Sequence, residues 1–349
     1  MEIILNNIKY HIHDSGLEAY VLANNYKGDI VIPPYIQHDG KLWIAVKGIA
    51  YAAFGDCEEL TSVSLPEGLS TIENRAFEGC TQLKEIIIPD TVVSIQSNAF
   101  SKCKSLQKVK LPRMLMHIDY DMFWECESLQ EIDIPPHVKS IASHGFYKCT
   151  QLRRISLPEG LEEIGRYCFA SCENLTEIRL PSTAVHLDDS IFVHCEKLQH
   201  IILPATLNYI PDSCFLGCSE LTDIQIPPSV DWIGEYAFHW TAVQQAQANQ
   251  LQYVGDILTG GQLPEACLGV LRVKDGTRCI ANRAFYENEE LTELILPASV
   301  ETIGEEAFAH CKNLKRLHLA EGLKTIGLSA FAHCSALEAI YIPSSVRSI

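Results

Sequence analysis

The residues in this sequence that could take part in the widest range of chemistry are its 14 cysteines. Thiols at regular spacing could form disulfides, hold a metal ion, or pack as small hydrophobic side chains. No Cys-x-x-Cys pair occurs, and ligands in a straight row do not make the tetrahedron that zinc requires. We therefore predict free, buried thiols, with disulfides between neighbours as the alternative. Ten of them share one slot, three residues after a phenylalanine: Cys57, Cys80, Cys103, Cys126, Cys149, Cys172, Cys195, Cys218, Cys311 and Cys334.

Catalytic motifs are missing from the sequence. His11 and His13 have the spacing of two residues on one face of a strand, which is more typical of an exposed surface than of a metal site. No G-x-S-x-G, P-loop, H-E-x-x-H or dinucleotide-binding fingerprint occurs. We predict that the protein is not an enzyme and has no catalytic, cofactor or metal site.

The elements that position the cysteines are repeats of 23 residues. A typical copy is Leu83–Phe100, with the pattern L-x-x-I-x-I-P, two further apolar residues and A-F-x-x-C. A fixed period in the 20s built on L-x-x-L-x-L is the signature of a leucine-rich-repeat solenoid. The phenylalanines recur in step at Phe54, Phe77, Phe100, Phe123, Phe146, Phe169, Phe192, Phe215 and Phe238, and again at Phe285, Phe308 and Phe331.

Each repeat predicts the same local structure. L-x-x-I-x-I is a short parallel strand, and proline ends it because proline cannot donate to the ladder. The next residues turn the chain, and A-F-x-x-C forms a short helical or 3₁₀ segment that stacks one Phe on the next. The predicted fold is a single continuous, right-handed leucine-rich-repeat solenoid of the α/β class.

The two ends of the array and one internal segment depart from the repeat. We predict that residues 1–50 form an N-terminal β cap with a degenerate first repeat and a hairpin at His38–Lys41. Regular repeats follow at 51–238 and 271–349, separated by a Gln-rich irregular segment at 239–270. The chain ends in mid-repeat, so we expect a longer natural protein, or an end covered by a partner or a second copy.

Two sets of surface residues are candidates for binding. The first is the outward column of the predicted strands, which could be a docking face or a charge ladder that keeps the sheet soluble. The second is an aromatic stripe beside the irregular segment, which could grip a peptide or a sugar or pack as a side ladder. The column contributes Lys110, Asp133, Arg179, Arg272, His318 and Tyr341, and the stripe His186, Tyr209, Trp232, Tyr236, His239 and Trp240.

Charge and hydropathy narrow the class of partner. The net charge of −17 disfavours binding to nucleic acid and anionic lipid, which need clustered Lys and Arg. No apolar run is long enough to cross a membrane, and the first residues do not resemble a secretory signal. We expect a cell-surface or secreted protein if a signal was trimmed, and a cytoplasmic one otherwise.

The repeat from Leu83 to Cys103, and its copy from Leu291 to Cys311, resembles the BspA-like (Treponema-type) leucine-rich-repeat surface proteins. The resemblance covers about residues 28–349 and implies a non-catalytic bacterial adhesin that binds host matrix or cell-surface proteins. Two alternatives remain open: an intracellular protein-interaction scaffold, and carbohydrate recognition by the aromatic stripe. The sequence does not indicate the oligomeric state.

Overall fold

In the computed structural model, the described residues are 1–38, 40, 42–184, 186–247 and 250–349, with only the backbone for Glu265. The chain divides into two compact units, Met1–Pro204 (unit 1) and Ala205–Ile349 (unit 2). Both consist almost entirely of short strands and turns. The only described helices are one of four residues and a 3₁₀ helix of three. No helix in the described ranges is long and apolar enough to span a membrane.

The strands of unit 1 are β1 (Glu2–Leu5), β2 (Ile8–Ile12), β3 (Glu18–Val21), β4 (Gly28–Val31), β5 (Tyr35–His38), β6 (Leu42–Ile49), β7 (Leu60–Ser64), β8 (Thr71–Ile72), β9 (Glu85–Ile87), β10 (Ser94–Ile95), β11 (Lys108–Lys110), β12 (His117–Ile118), β13 (Glu131–Asp133), β14 (Ser140–Ile141), β15 (Arg154–Ser156), β16 (Glu163–Ile164), β17 (Glu177–Arg179), β18 (His186–Leu187) and β19 (His200–Ile202).

The elements of unit 2 are β20 (Tyr209–Ile210), β21 (Trp232–Ile233), α1 (Ala242–Gln245), β22 (Leu251–Val254), β23 (Ile257–Gly261), the 3₁₀ helix Glu265–Cys267, β24 (Val270–Arg272), β25 (Cys279–Ile280), β26 (Glu293–Ile295), β27 (Thr302–Ile303), β28 (Arg316–His318) and β29 (Thr325–Ile326).

Two parallel ladders run through the repeats. The first ladder consists of the strands of the L-x-x-I-x-I motif, such as β13 with β15, where Ile132 pairs with Ile155. The second ladder consists of two-residue strands, such as β14 with β16, where Ile141 pairs with Ile164. The predicted solenoid fold is confirmed, and partners in both ladders lie one 23-residue period apart. The second ladder was not predicted, because a two-residue strand leaves no alternation to detect.

The core is a column of stacked phenylalanine rings. In unit 1 the column runs from Phe54 to Phe192 with ring centroids 4.9–5.6 Å apart and nearly parallel planes. Tyr26 closes its N-terminal end, with its ring centroid 4.6 Å from that of Phe54. In unit 2, Phe215 stacks on Phe238, and Phe285, Phe308 and Phe331 stack in turn.

The A-F-x-x-C segments are turns, so the predicted helical segments are wrong there. Two residues in each repeat, such as Arg75 and Gly79, have positive φ values of 59° and 72°. A right-handed helix cannot include such residues. Their amides instead bond to the next repeat: Arg75 N–H donates to Ser97 O at 3.1 Å, and Gly79 N–H to Ser101 O at 2.8 Å. These inter-repeat bonds offset the cost of the left-handed conformation, about 1–2 kcal/mol per non-glycine residue.

The N-terminal strands cover the start of the second ladder. β1, β2 and β3 form an antiparallel meander, and β3 pairs in parallel with β6, which pairs with β8. β5 and β6 form an antiparallel hairpin in which Ile36 pairs with Ile44. Of the predicted hairpin turn, Asp39 and Lys41 lie outside the described residues. Tyr26 and β3 therefore cover the N-terminal end of the array, whereas β5 only adds an antiparallel partner to β6.

Candidate functional site

The outward side chains of the first-ladder strands β9, β11, β13, β15, β17 and β19 form one surface, here called the strand face. Alternation along each strand puts isoleucine or valine inward and polar residues outward. Two aliphatic side chains are also outward, with Ile87 62% and Ile202 56% exposed. Two shallow concavities of about 380 and 350 Å³ lie on this face. The strand face comprises Glu85, Ile87, Lys108, Lys110, Glu131, Asp133, Arg154, Ser156, Glu177, Arg179, His200 and Ile202.

Most charges on the strand face are unpaired. In the described part of unit 1, the one direct ion pair among these residues joins Arg154 Nε to Glu177 Oε1 at 3.5 Å. Lys110 and Asp133 occupy neighbouring rungs but make no salt bridge among the described residues. Exposed pairs contribute only about 0–1 kcal/mol, so the side chains gain little from pairing with each other. The alternating charges are therefore available to a partner.

In unit 2, the outward residues at the corresponding strand positions contact one another more closely. Glu293 Oε2 accepts from Arg316 Nη2 at 2.5 Å, and Glu293 Oε1 lies 2.9 Å from His318 Nε2. The bond from Arg316 lowers the pKa of the Glu293 carboxyl. Of the other predicted residues, Arg272 is exposed and Tyr341 is 84% exposed. His318 thus belongs to a local cluster with Glu293 and Arg316.

The predicted aromatic stripe falls in both units. His186 is exposed on β18 of unit 1. In unit 2, Tyr209 and Trp232 are paired residues of β20 and β21, and both are half-buried. A common stack of the three rings stays a prediction.

A second cluster lies beside the irregular segment in unit 2. The rings of Tyr236 and His239 are 5.6 Å apart edge to face, and His239 and Trp240 are 4.8 Å apart. Tyr236 and Trp240 are 57% and 54% exposed. A cavity of about 220 Å³, here called the hairpin cavity, adjoins this cluster. Tyr236 and His239 line the cavity together with Glu235, Gln244, Gln252, Thr259, Asn282 and Arg283.

The hairpin cavity exists because a hairpin replaces a regular repeat. β22 and β23 pair antiparallel, and β23 then joins the second ladder through β25. Gly261 has φ +113°, and a Cβ there would lie 2.2 Å from the Gln250 carbonyl oxygen. Only glycine therefore lets the two strands of the hairpin approach each other at this point. Leu258 and Leu263 pack beside Phe285, so the hairpin also fills part of the core.

An ion pair ties the repeats on either side of the hairpin together. Arg283 Nη1 donates to both Glu235 carboxylate oxygens at 2.9 Å. The guanidinium also lies over the Tyr286 ring, 3.9 Å from its centroid. A hydrogen bond to Glu235 raises the pKa of the Tyr236 hydroxyl, and burial lowers the pKa of His239. Both groups are therefore neutral near pH 7.

The cysteine side chains are part of the hydrophobic core and form hydrogen bonds between repeats. In eight repeats the thiol donates to the carbonyl oxygen of the Phe in the preceding repeat, with S–O distances of 3.0–3.2 Å. All 14 are thiols rather than halves of disulfides, and 13 of them, including Cys168 and Cys214, are buried, with Cys267 intermediate. Burial raises the pKa of Cys195 and of Cys279 to about 12. Within the described ranges, no three His, Cys, Asp or Glu side chains are grouped as metal ligands.

Thiol titration tests this arrangement. In native protein, about one thiol should react rapidly with Ellman's reagent, because only Cys267 is partly accessible and the other 13 thiols are buried. All 14 should react after unfolding in denaturant. Cys267→Ser is the control and should abolish the rapid phase. A total below 14 in denaturant would show that disulfides had formed.

Six of the predicted site residues therefore fall into two groups, and the other six belong to neither. Lys110, Asp133 and Arg179 share the strand face, and Tyr236, His239 and Trp240 share the cluster by the hairpin cavity. Sequence reasoning missed the polar residues that line the cavity. The Gln-rich stretch signalled Gln244 and Gln252, but nothing local marked Thr259, Asn282 or Arg283.

Comparison with known proteins supports the repeat assignment. A family model described as "BspA type Leucine rich repeat region (6 copies)" matches residues 44–153, 139–256 and 268–349. No curated protein matches the chain.

Solved structures with similar folds come from several bacteria. A leucine-rich repeat protein from Bacteroides ovatus is 26% identical with a TM-score of 0.65, over 99% of this chain and 90% of that one. A leucine rich cell surface protein from Faecalibacterium prausnitzii is 20% identical with a TM-score of 0.39, covering 91% and 94%. The pneumococcal vaccine antigen PcpA is 20% identical with a TM-score of 0.42, covering 100% and 77%.

Proposed function

Because the chain belongs to the BspA-type leucine-rich-repeat family, we propose that it is a non-catalytic adhesin that binds a host matrix or cell-surface protein. The adhesin assignment and the location at the cell surface or outside the cell follow from the family resemblance. Recognition of a protein is supported by the strand face.

The observation that carries this proposal is the set of alternating charges on the strand face, of which only Arg154 and Glu177 pair with each other among the described residues of unit 1. Along the neighbouring rungs of one column, Glu85, Lys108, Glu131, Arg154 and Glu177 alternate in sign. A partner with the complementary pattern would gain charge-assisted bonds, and a shifted register would place like charges together. Alternation therefore favours one binding register.

Apolar anchors complete the face. Ile87 and Ile202 project from it beside the two shallow concavities. Burial of one such side chain contributes about 1.5–3 kcal/mol. Shallow, mixed surfaces of this kind suit a folded protein better than a small molecule, which needs an enclosed pocket.

The test is a capture experiment with a triple variant, Lys110→Ala, Asp133→Ala and Arg179→Ala. Wild-type protein should bind one component of a panel of purified matrix proteins and host-cell surface extract. The triple variant should bind that component at least about tenfold more weakly, because three charges of the face are lost. Surface plasmon resonance measures both affinities, and binding should weaken as salt rises.

The matched control is Asp90→Ala, Arg113→Ala and Lys139→Ala. It removes the same set of charges from other exposed positions of unit 1. Its affinity should equal that of the wild type. Equal loss in both triple variants would exclude the strand face as the site, and no capture by wild-type protein would refute the adhesin proposal.

A further inference from the structure

The hairpin cavity carries chemistry that the strand face lacks. It lies wholly within unit 2, and its volume of about 220 Å³ is below the roughly 300–1,000 Å³ of sites for drug-sized ligands. It therefore admits one ring-sized group.

The charges lining the cavity neutralise each other. Glu235 and Arg283 form an ion pair in which Arg283 Nη1 donates to both carboxylate oxygens, and His239 is neutral because burial lowers its pKa. The whole chain has a net charge of −17, which repels anions. A ligand without charge suits this cavity best.

Amide groups in the cavity are left with unused donors. Asn282 Oδ1 accepts from Glu305 N–H at 2.9 Å, and Gln244 Oε1 accepts from Trp240 N–H at 3.1 Å. Neither NH₂ group donates to another of the described residues, so each can donate to a ligand oxygen. The Gln252 side chain also lines the cavity, and the Thr259 hydroxyl donates to the Gln252 carbonyl at 3.2 Å. Several planar polar groups thus converge on a small volume.

Aromatic rings supply the remaining contact. Tyr236 stands at the edge of the cavity with more than half of its surface exposed, and His239 and Trp240 continue the aromatic surface. An exposed ring offers an apolar face to C–H groups and a polar tip to hydroxyls. A sugar ring has both kinds of group, with C–H bonds on its faces and hydroxyls around its edge.

We propose that the hairpin cavity binds a neutral sugar residue of a glycan. Tyr236 packs against the sugar face, and the amides of Gln244, Gln252 and Asn282 donate to its hydroxyl oxygens. This activity is independent of protein recognition by the strand face, because the two surfaces belong to different units.

The experiment titrates the protein with methyl glycosides of glucose, galactose, mannose and N-acetylglucosamine, followed by calorimetry and tryptophan fluorescence. At least one neutral glycoside should bind, with a change in fluorescence from Trp240 beside His239. Sialic acid methyl glycoside should bind at least about tenfold more weakly because of the acidic chain. Tyr236→Ala and Gln252→Ala should each weaken binding at least about tenfold, through lost packing and a lost hydrogen bond respectively.

Tyr167→Ala is the matched control. Tyr167 occupies the same repeat position as Tyr236, with φ +55° against +56°, but lies in unit 1. The affinity of the Tyr167→Ala variant for the glycoside should equal that of the wild type, and so should the affinity of the strand-face triple variant. Gln252→Ala keeps the test decisive if Tyr236→Ala does not fold. The proposal is overturned if no neutral glycoside binds, if both cavity variants bind normally, or if the sialic acid glycoside binds best.

Discussion

At pH 10 the protein should be close to unfolding, although it is stable at pH 7. Burial raises the pKa of the thiols in the Cys ladder, so the folded state keeps them neutral. In the unfolded chain the same thiols ionise above their ordinary pKa of 9.0. Stability is therefore fully present below about pH 9 and is lost as the pH rises towards the folded-state values.

The expected magnitude is large because the thiols act together. At pH 10 each deeply buried thiol loses about 1.4 kcal/mol of stabilisation. Seven thiols whose pKa burial raises well above its ordinary value together lose about 10 kcal/mol, comparable to the 5–15 kcal/mol of an ordinary domain. These seven are Cys126, Cys149, Cys168, Cys172, Cys195, Cys279 and Cys311.

Urea unfolding under reducing conditions from pH 7 to 10 measures this loss. The control variant is Cys126→Ala, Cys149→Ala and Cys195→Ala, which removes three of the seven thiols. It should be less stable at pH 7 but should show a shallower decline with pH. A free energy of unfolding that is constant between pH 8 and 10 would contradict the expectation.

Replacement of Phe146 by alanine should cost about 3–5 kcal/mol of unfolding free energy. The ring is fully buried and lies between Phe123 and Phe169, with centroid distances of 5.3 and 5.6 Å. Its removal leaves a cavity in the middle of the column, and neighbouring repeats cannot close it without breaking both ladders. Because each repeat contacts only its neighbours, the two sides of unit 1 also lose coupling.

Urea unfolding followed by circular dichroism tests this substitution. Phe146→Leu should cost less than half as much, since most of the volume is kept. Tyr120→Ala removes an aromatic ring that is 57% exposed and should change the free energy by less than about 0.5 kcal/mol. A loss below about 1 kcal/mol for Phe146→Ala would show that the column does not stabilise the fold.

The repeat pattern identified the core but not the backbone that carries it. Phe and Cys recur at fixed intervals and point inward in both units, so a one-dimensional pattern was enough to place them. The left-handed turns escaped detection because residues such as Arg75 and Asn98 occupy them, where glycine would have been the usual signal. Inter-repeat hydrogen bonds impose that conformation, and they join residues 22 positions apart, such as Arg75 and Ser97.

The candidate sites also combine features that the sequence shows with features that only the folded structure shows. The alternation of charges from Glu85 to Glu177 is legible in the sequence, but only side-chain positions reveal that one direct ion pair forms there among the described residues. Sequence also marked 239–270 as irregular without showing that a hairpin would bring Thr259 to the same cavity as Tyr236.

The period, the inward positions, the family and the polar character of the outer faces can all be read from the amino-acid pattern, because burial in a solenoid repeats with the chain. The folded protein was needed to show which charges pair, that Tyr26 covers the N-terminal end of the Phe column, and which polar groups meet in the hairpin cavity. Those outcomes depend on contacts between residues far apart in the chain, such as Glu235 and Arg283, whose positions no local pattern encodes.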